Sequence, residues 1–231
     1  MTTEDKYKPP ESGTGDTAHS LASGLISFIP GLPELFQYFV TPPLVKRRIK
    51  WMEDVGKALR ELEKDHGVKL EELQNNDVFV DMVLHATQIA LRNSQEEKRE
   101  ALKNAIINAA LPNPPDESIQ LMFLNWIDTF TVWHLRLLHL FQNPRIWFTE
   151  NNKQAPSFAI SSSLSQLLTI AYPELGSQRE FYDLVISELD SRGLFSGSST
   201  HTMMSASGAF EKRTTQLGNK FLQFITSPAN R

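Results

Sequence analysis

The histidines and carboxylates are the residues of this sequence whose types and spacing could bind a metal ion or move a proton. His134 and His139 are five residues apart, so on a helix they do not share a face, whereas a two-histidine metal motif needs a spacing of four with an intervening Glu. Asp81 and His85 are four residues apart, which puts them on one helical face where they can form a hydrogen-bonded pair. Such a lone pair on an amphipathic helix is usually a partly solvated surface contact. We therefore predict neither a metal centre nor a catalytic acid–base pair.

The sequence also lacks the motifs of nucleophilic and phosphate-binding enzymes. It contains no cysteine, which excludes disulfides, thiolate catalysis and zinc sites built on Cys. The patterns S-x-x-K, G-x-S-x-G and H-E-x-x-H are absent. Of two candidate phosphate loops, Gly13–Gly15 lies in a polar tail and Ser196–Ser199 is not followed by a Lys. We predict a non-catalytic protein that carries no cofactor.

The charge balance argues against a general attraction to polyanions. The 231 residues include 23 basic and 27 acidic side chains, for a net charge of −4, so any binding to nucleic acid or anionic lipid has to be local. The length and the 40% hydrophobic content fit one large or two small domains, each with its own core. Because a cysteine-free chain suits a reducing compartment, we predict a cytoplasmic protein.

Two segments of contrasting composition precede the first regular helix. Residues 1–20 are polar and hold almost no aliphatic side chains, which predicts a disordered tail rather than a secretory signal. Residues 21–41 are apolar, with Glu34 as their one charge, but glycines and prolines divide them into two short pieces. This division favours an apolar helical hairpin over a membrane span.

The apolar hairpin and the basic run that follows it are the first candidate contact surface. The hairpin is expected to self-associate or to contact a protein partner. The alternative is peripheral contact with the inner membrane, in which the basic run would face anionic lipid. The candidate contact residues are Phe28, Ile29, Leu35, Phe36, Lys46, Arg47 and Arg48.

Apolar residues recur at helical spacing from Pro42 onward, which predicts a helical domain over 42–130. Its first helix should run to Asp65 and stop at Gly67. We expect Asp77 to cap the next helix, and a capping box of Ser94 and Glu97 to open the one after it. The predicted buried residues are Leu44, Trp51, Val55, Leu59, Leu62, Phe79, Met82, Val83, Ala86, Ile89, Ala90, Ile119, Met122, Phe123, Trp126, Ile127 and Phe130.

Residues 131–231 show three helices, a polar loop and a final helix. We expect helices over 131–142, around 162–171 and over 177–192, and the last of these should stop at Gly193 in a left-handed conformation. Thr131 caps the first of these helices, a capping box of Ser177 and Glu180 opens the third, and Thr214 or Thr215 caps the final helix at 216–226.

A small β-ribbon completes this predicted C-terminal region. Leu194–Phe195 and Thr202–Met204 flank a loop rich in Ser, Gly and Thr, which is typical of two short paired strands, and no strands are expected before residue 190. Three helices followed by a ribbon is the order of a winged helix. The predicted fold class is therefore mainly α, with a helical body followed by a C-terminal winged-helix-like module over 131–231.

The predicted module is a poor match to DNA. A winged helix places its third helix in the major groove, and here that helix has two arginines against four carboxylates, a net charge of −2 that repels phosphate. The candidate nucleic-acid contacts are Lys212, Arg213 and Lys220, which are scattered along the loop and the final helix. We therefore favour protein contact for this module, with a DNA-binding regulator as the alternative.

Trp147 and Phe148 form an adjacent aromatic pair in the polar stretch 143–152, which is predicted to be a connector. Adjacent rings in a linker cannot both face one surface, so one of them should point away from it. We expect the pair to clamp the helical domain to the winged-helix module, and the alternative is that it anchors a protein partner.

Two stretches of this sequence combine apolar and turn residues in a distinctive order. The first is ESIQLMFLNWIDTFTVWHLRLLHLF at residues 117–141. The second is marked by Leu189, Gly193, Leu194, Phe195, Thr215, Leu217, Gly218, Phe221, Leu222, Phe224 and Ile225. Together they resemble the abortive-infection alpha family of bacterial proteins, and the likeness extends over roughly residues 75–226. The resemblance implies a role in phage resistance and brings no catalytic residue with it, so we expect a non-catalytic effector that acts through protein contacts.

Overall fold

The structure is a computed structural model that describes residues 42–197 and 199–230. Within these residues the protein is mainly helical, with ten α-helices and one two-stranded antiparallel sheet. The predicted tail (1–20) and apolar hairpin (21–41) lie outside the described residues, and so do Phe28, Ile29, Leu35 and Phe36. The described chain divides into two compact units. The first unit holds residues 42–128 and 225–230, and the second holds residues 129–197 and 199–224.

The first unit consists mainly of long amphipathic helices. Its described helices are α1 (Pro42–His66), α2 (Leu70–Leu73), α3 (Asp77–Arg92), α4 (Glu96–Ala110) and α5 (Glu117–Thr129), the last residue of which belongs to the second unit. Helices α1, α3 and α4 pack against one another. Their apolar stripes therefore form the main core of this unit.

The predicted core faces of α1 and α3 are confirmed except at Leu44, which is only partly buried near the start of α1. Charged residues of both helices lie mostly on the opposite, exposed faces. As predicted, α1 ends before Gly67, whose φ of +65° is readily adopted by glycine. The buried residues are Trp51, Val55, Leu59 and Leu62 on α1 and Phe79, Met82, Val83, Ala86, Ile89 and Ala90 on α3.

The core stripe around α5 is shifted from the predicted one. Ile119 and Met122 are only partly buried, whereas Gln120 and Leu124 are buried although we did not predict it. The shift rotates the inward face of the first half of the helix. The predicted residues that are buried are Phe123, Trp126, Ile127 and Phe130.

The starts of α3 and α4 differ from the predicted caps. Asn76, not Asp77, is the N-cap of α3, and its side-chain oxygen accepts the backbone N–H three residues on. The predicted capping box at Ser94 is wrong, because α4 begins after Gln95 and that N-cap makes no side-chain hydrogen bond. The carbonyl of Ser94 instead accepts a hydrogen bond from the Arg99 guanidinium at 2.7 Å.

The second unit contains shorter helices and the small sheet. Its described elements are α6 (Val132–Gln142), α7 (Pro144–Glu150), β1 (Ser161–Ser162), α8 (Leu164–Ala171), α9 (Arg179–Ser191), β2 (Met204–Ser205) and α10 (Gln216–Ile225), whose last residue belongs to the first unit. Helix α6 packs against both α8 and α9. These helices position the polar residues described below.

The predicted β-ribbon is wrong in its pairing. Strand β2 pairs with β1, so that Ser161 lies opposite Ser205, and a strand therefore occurs before residue 190. Phe195 forms an isolated bridge with Thr214. Because the backbone of residues 194–196 bonds to residues 213–215, it is not available to β2.

Helix α9 ends as predicted but does not begin as predicted. Gly193 has a φ of +69°, and its N–H donates to the carbonyl of Asp190 while the N–H of Leu194 donates to that of Leu189. This is a Schellman ending. The predicted capping box at Ser177 is wrong, because Gln178 is the N-cap, and its side chain donates to the carbonyl of Glu174 rather than capping α9.

Candidate functional site

Helix α9 packs one face against the second unit and exposes the other, and its polar residues bond to neighbouring elements. Its apolar face of Tyr182, Val185, Ile186 and Leu189 is buried, so the helix has a fixed orientation in the second unit. The other face is open to solvent. The exposed residues of α9 and its C-cap are Arg179, Glu180, Leu184, Ser187, Ser191 and Arg192.

One anchor of α9 is a hydrogen bond between His134 of α6 and Glu188. The imidazole is 3% exposed, and its Nε2 lies 2.7 Å from a carboxylate oxygen of Glu188. The backbone N–H of Thr131 donates to Nδ1 at 3.1 Å, so the ring proton is on Nε2 and is donated to Glu188. Burial lowers the pKa of His134, and the bond to Glu188 offsets only part of this effect. His134 is therefore a neutral structural donor, and its ring stacks on Phe130.

A second anchor joins α9 to the loop before β2 through Asp183. Its carboxylate accepts hydrogen bonds from the Thr200 hydroxyl at 2.5 Å and from His201 Nε2 at 2.8 Å, and Arg179 lies 3.5 Å away. Burial raises the pKa of Asp183, but these hydrogen bonds together outweigh it and hold the pKa below its usual value. The carboxylate therefore acts as a clamp for the loop.

These anchors change how the charge of α9 is presented. Two of its four carboxylates, Asp183 and Glu188, are engaged in hydrogen bonds within the protein. The arginines are engaged too, since Arg179 pairs with Asp183 and the Arg192 guanidinium lies 5.1 Å from the centre of the Phe130 ring. The net charge of α9 can be counted from the sequence, but these pairings cannot be predicted from it. His134 is 54 positions from Glu188, and Thr200 is 17 positions from Asp183.

The three candidate nucleic-acid contacts differ in what they do. Arg213 is internal to the fold, because its guanidinium donates to the carbonyl of Gly208 at 2.8 Å and only 22% of its side chain is exposed. Lys212 and Lys220 are exposed. Of these three residues, Lys212 and Lys220 are therefore the ones whose charged groups can reach a phosphate.

The second unit also exposes apolar side chains. Five large hydrophobic residues of the described chain are between 42% and 84% exposed, and all five belong to this unit. Leu184 lies on the open face of α9, while Ile160 and Met203 directly precede β1 and β2. The five are Ile146, Ile160, Ile170, Leu184 and Met203.

The basic run on α1 is partly engaged within the first unit. Arg47 donates to the carbonyl of Leu91 at 2.8 Å, and Arg48 is only partly exposed. Lys46 is exposed. None of the described helices combines the length and the apolarity that crossing a bilayer requires.

The aromatic pair Trp147–Phe148 is buried in the second unit. The predicted connector is instead helix α7, and the two residues are 8% and 1% exposed. The centres of the Trp147 and Tyr172 rings are 5.0 Å apart, and the Lys153 ammonium lies 5.4 Å from the centre of the Trp147 ring. Both rings are covered by the second unit, because this stretch forms a packed helix rather than a polar connector. A partner meets neither ring without a local rearrangement.

The C-terminal residues that carry the family resemblance form one packed joint. The hydroxyl of Thr215 caps α10 by accepting the N–H of Gly218, as predicted, and also donates to the carbonyl of Gly193. A Cβ at Gly218 would overlap the carbonyl oxygen of Leu194. This part of the signature thus describes a structural joint between the end of α9 and the start of α10.

No protein-family model, no curated protein and no solved structure matches this chain. The resemblance to the abortive-infection alpha family therefore stays a prediction based on the residues named above. Those residues in the described C-terminal joint pack and turn the chain rather than perform chemistry.

Proposed function

We propose that this chain is a cytoplasmic, non-catalytic interaction protein of bacterial phage defence, which acts through protein–protein contacts made by its second unit. The observation that carries the proposal is the set of five exposed hydrophobic side chains in that unit. Exposed apolar side chains mark a protein-binding surface when they join in one patch, and we propose that members of this set do so. The role in phage defence is supported by the family resemblance alone.

Helix α9 supplies a rigid support for this surface. Its buried face and the two polar anchors, to His134 and to the loop at Thr200, hold Leu184 outward at a fixed position. A side chain that is held in place loses little conformational entropy on binding, which favours affinity. Leu184 is therefore the first residue to change in a test.

The test compares phage plating on cells that lack the gene or express wild-type or variant protein. Wild type should reduce plaque counts, and a triple variant with Ile160→Ser, Leu184→Ser and Met203→Ser should lose this protection. A control variant with Ser187→Ala and Ser191→Ala changes the same exposed helix and should protect as wild type does. Unchanged plaque counts with wild type over a broad phage panel, or full protection by the triple variant, would contradict the proposal.

We further propose that the second unit is a winged-helix-like module. Its helices α6, α8 and α9 come in that order, α6 packs against the other two, and a loop with short paired segments follows. This order supports the module but does not by itself imply DNA binding. A crystal structure of the full chain in which α8 and α9 do not both pack against α6 would contradict this proposal.

DNA binding is the second candidate function, and the exposed ammonium groups of Lys212 and Lys220 favour it. A DNA-binding protein should lose affinity steeply with added salt, because phosphate contacts release counterions. The double variant Lys212→Glu and Lys220→Glu should then weaken binding in a fluorescence anisotropy titration. Arg213 is unsuitable for this test because its substitution also breaks the bond to Gly208. Absence of salt-dependent binding would dismiss this candidate.

A further inference from the structure

A cleft of about 330 Å³ lies between α3 and α5 in the first unit. This volume is at the lower end of the range for small-ligand pockets. Its walls combine apolar side chains, among them Met82 and Leu121, with polar ones. The residues that line it come from one face of each helix, at spacings of three and four, so two regular elements hold its shape.

Two unpaired carboxylates belong to the cleft wall. Asp81 on α3 and Glu117 on α5 both line it, and within the described residues neither makes an ion pair or a side-chain hydrogen bond. No Lys or Arg is among the lining residues. Elsewhere in this unit Glu96 and Asp128 pair with Lys50 and Arg92, whereas the two carboxylates of the cleft have no cationic side chain among the other lining residues.

The Asp81–His85 pair has a different role from the predicted one. Their spacing predicts a partly solvated contact between the two side chains. Both residues line the cleft, but no hydrogen bond joins them or involves either side chain in the described part of the chain. The polar groups of this helix face are therefore open to a ligand.

Gln120 gives the second, independent indication of a ligand. It lines the cleft and is 3% exposed, and its amide Nε2 donates to the carbonyl of Pro115 at 2.7 Å. That bond fixes the amide orientation, because the reverse orientation would bring two acceptors together. Its Oε1 is buried and has no hydrogen-bond partner among the described residues. A buried acceptor without a donor is unfavourable, so this oxygen calls for a donor from outside.

We propose that the cleft binds a primary ammonium or guanidinium group attached to a short apolar chain. The Asp81 and Glu117 carboxylates attract the positive charge, and they and the Gln120 amide oxygen accept its N–H groups. Met82 and Leu121 contact the methylene groups next to it. The group belongs either to a free alkylamine or to a Lys or Arg side chain of a peptide. This inference concerns the first unit and is independent of the proposed function of the second.

Binding is tested on the full chain by calorimetric titration and by NMR of the Gln120 side-chain amide. The probes are 1,5-diaminopentane, N-acetylarginine amide and, as a neutral control of equal length, 1,5-pentanediol. The two cationic probes should bind and shift the Gln120 amide signals, and the diol should do neither. Tighter binding of the diamine points to a free amine, and tighter binding of the arginine derivative points to a peptide side chain.

Variants separate this site from general charge attraction. Asp81→Asn with Glu117→Gln should weaken cation binding at least about tenfold, a loss that calorimetry resolves readily. Glu63→Gln with Asp65→Asn removes the same charge from the exposed end of α1 and should leave the affinity unchanged. Gln120→Leu should weaken binding because it removes the buried acceptor, and since it also removes the donor to the Pro115 carbonyl, urea denaturation checks that the variant remains folded. The proposal is overturned if neither cation binds, if the diol binds equally well, or if both double variants behave alike.

Discussion

The two units hold their helices in place through different buried polar contacts. In the first unit, Lys98, Asn104 and Asn108 of α4 are buried and donate to backbone carbonyls of Asp128, Ile225 and Thr226. The last carbonyls of a helix have no partner within it, so α4 supplies side-chain donors to the ends of α5 and α10. In the second unit, helix α9 is instead held by bonds between side chains, His134–Glu188 and Thr200–Asp183, although a side-chain donor to a carbonyl occurs there too, from Arg213 to Gly208.

The bonds of the first unit satisfy helix ends, whereas those of the second unit fix a helix whose outer face stays exposed. In the first unit, side-chain donors to backbone carbonyls satisfy the ends of helices. Histidine–carboxylate bonds instead hold one helix at a fixed angle while its other face stays open, and the exposed hydrophobic residues of the described chain lie in this second unit. The comparison predicts effects that differ in size and in their dependence on pH between the two units.

The largest effect is expected at Gly218, where the second unit has no room for a side chain. Gly218→Ala brings a Cβ into the carbonyl oxygen of Leu194, a backbone atom that cannot move without breaking the joint. We expect a loss of about 3 kcal/mol or more in the free energy of unfolding, measured by urea denaturation. Ser187→Ala, on the exposed face of α9, is the control and should change it by less than about 0.5 kcal/mol. Equal stability of the two variants would mean that this joint is not rigid.

The next effect tests the carbonyl donors of the first unit. Asn104→Ala removes the hydrogen bond to Ile225 and leaves a buried carbonyl without its donor, for an expected loss of about 2 kcal/mol. Asn104→Leu should cost less, because it fills the site and also removes the amide oxygen that has no partner. Urea denaturation of both variants checks the order. If Asn104→Leu lowers the free energy of unfolding more than Asn104→Ala does, the Asn104 amide stabilises the protein by more than its bond to the Ile225 carbonyl at the end of α10.

The sequence predicts helices better than it predicts the contacts between them. Periodicity located the buried faces of α1 and α3, and the stop signals at Gly67 and Gly193 are confirmed, because these features depend on residues close in the chain. The capping boxes at Ser94 and Ser177 failed since a short motif does not reveal which carbonyls or turns compete nearby.

Long-range contacts escaped prediction for a related reason. The pairing of β1 with β2 joins residues more than forty positions apart, and short segments of similar composition offer several partners. Likewise, the cleft next to Asp81 requires Gln120 from another helix, and the anchor at His134 requires Glu188. The histidines and acids could be named from the sequence, but their partners could not.

A smaller effect concerns the pH dependence of the second unit. The folded-state pKa of His134 is lowered by burial, so the unfolded chain takes up its proton first as the pH falls below about 6.5. Its contribution to stability is therefore complete above that pH and is lost progressively below it. Unfolding free energies measured from pH 7.5 to pH 5 should decrease for wild type and decrease less for His134→Gln. An identical slope for both proteins would show that this histidine does not titrate with unfolding.

Glu188 gives the matching test at constant pH. Glu188→Ala removes the acceptor of a buried imidazole N–H, and because Glu188 is itself partly exposed, water can replace it in part. We expect a loss of about 1 kcal/mol at pH 7 in urea denaturation. Glu180→Ala on the exposed start of the same helix is the control and should have no measurable effect. Equal losses would assign the effect to helix α9 as a whole rather than to the histidine bond.

The smallest effect on stability is expected at Leu184. Substituting this residue tests directly whether it contributes to packing or only to the exposed surface. Leu184 is 58% exposed, whereas Leu189 on the same helix is 0% exposed. Leu184→Ser should change the free energy of unfolding by less than about 0.5 kcal/mol, while Leu189→Ser should cost about 3 kcal/mol or more. If Leu184→Ser destabilises the protein nearly as much as Leu189→Ser, Leu184 contributes to packing and is not part of the proposed contact surface. A stable Leu184→Ser protein that no longer protects cells from phage would instead assign the residue to partner binding.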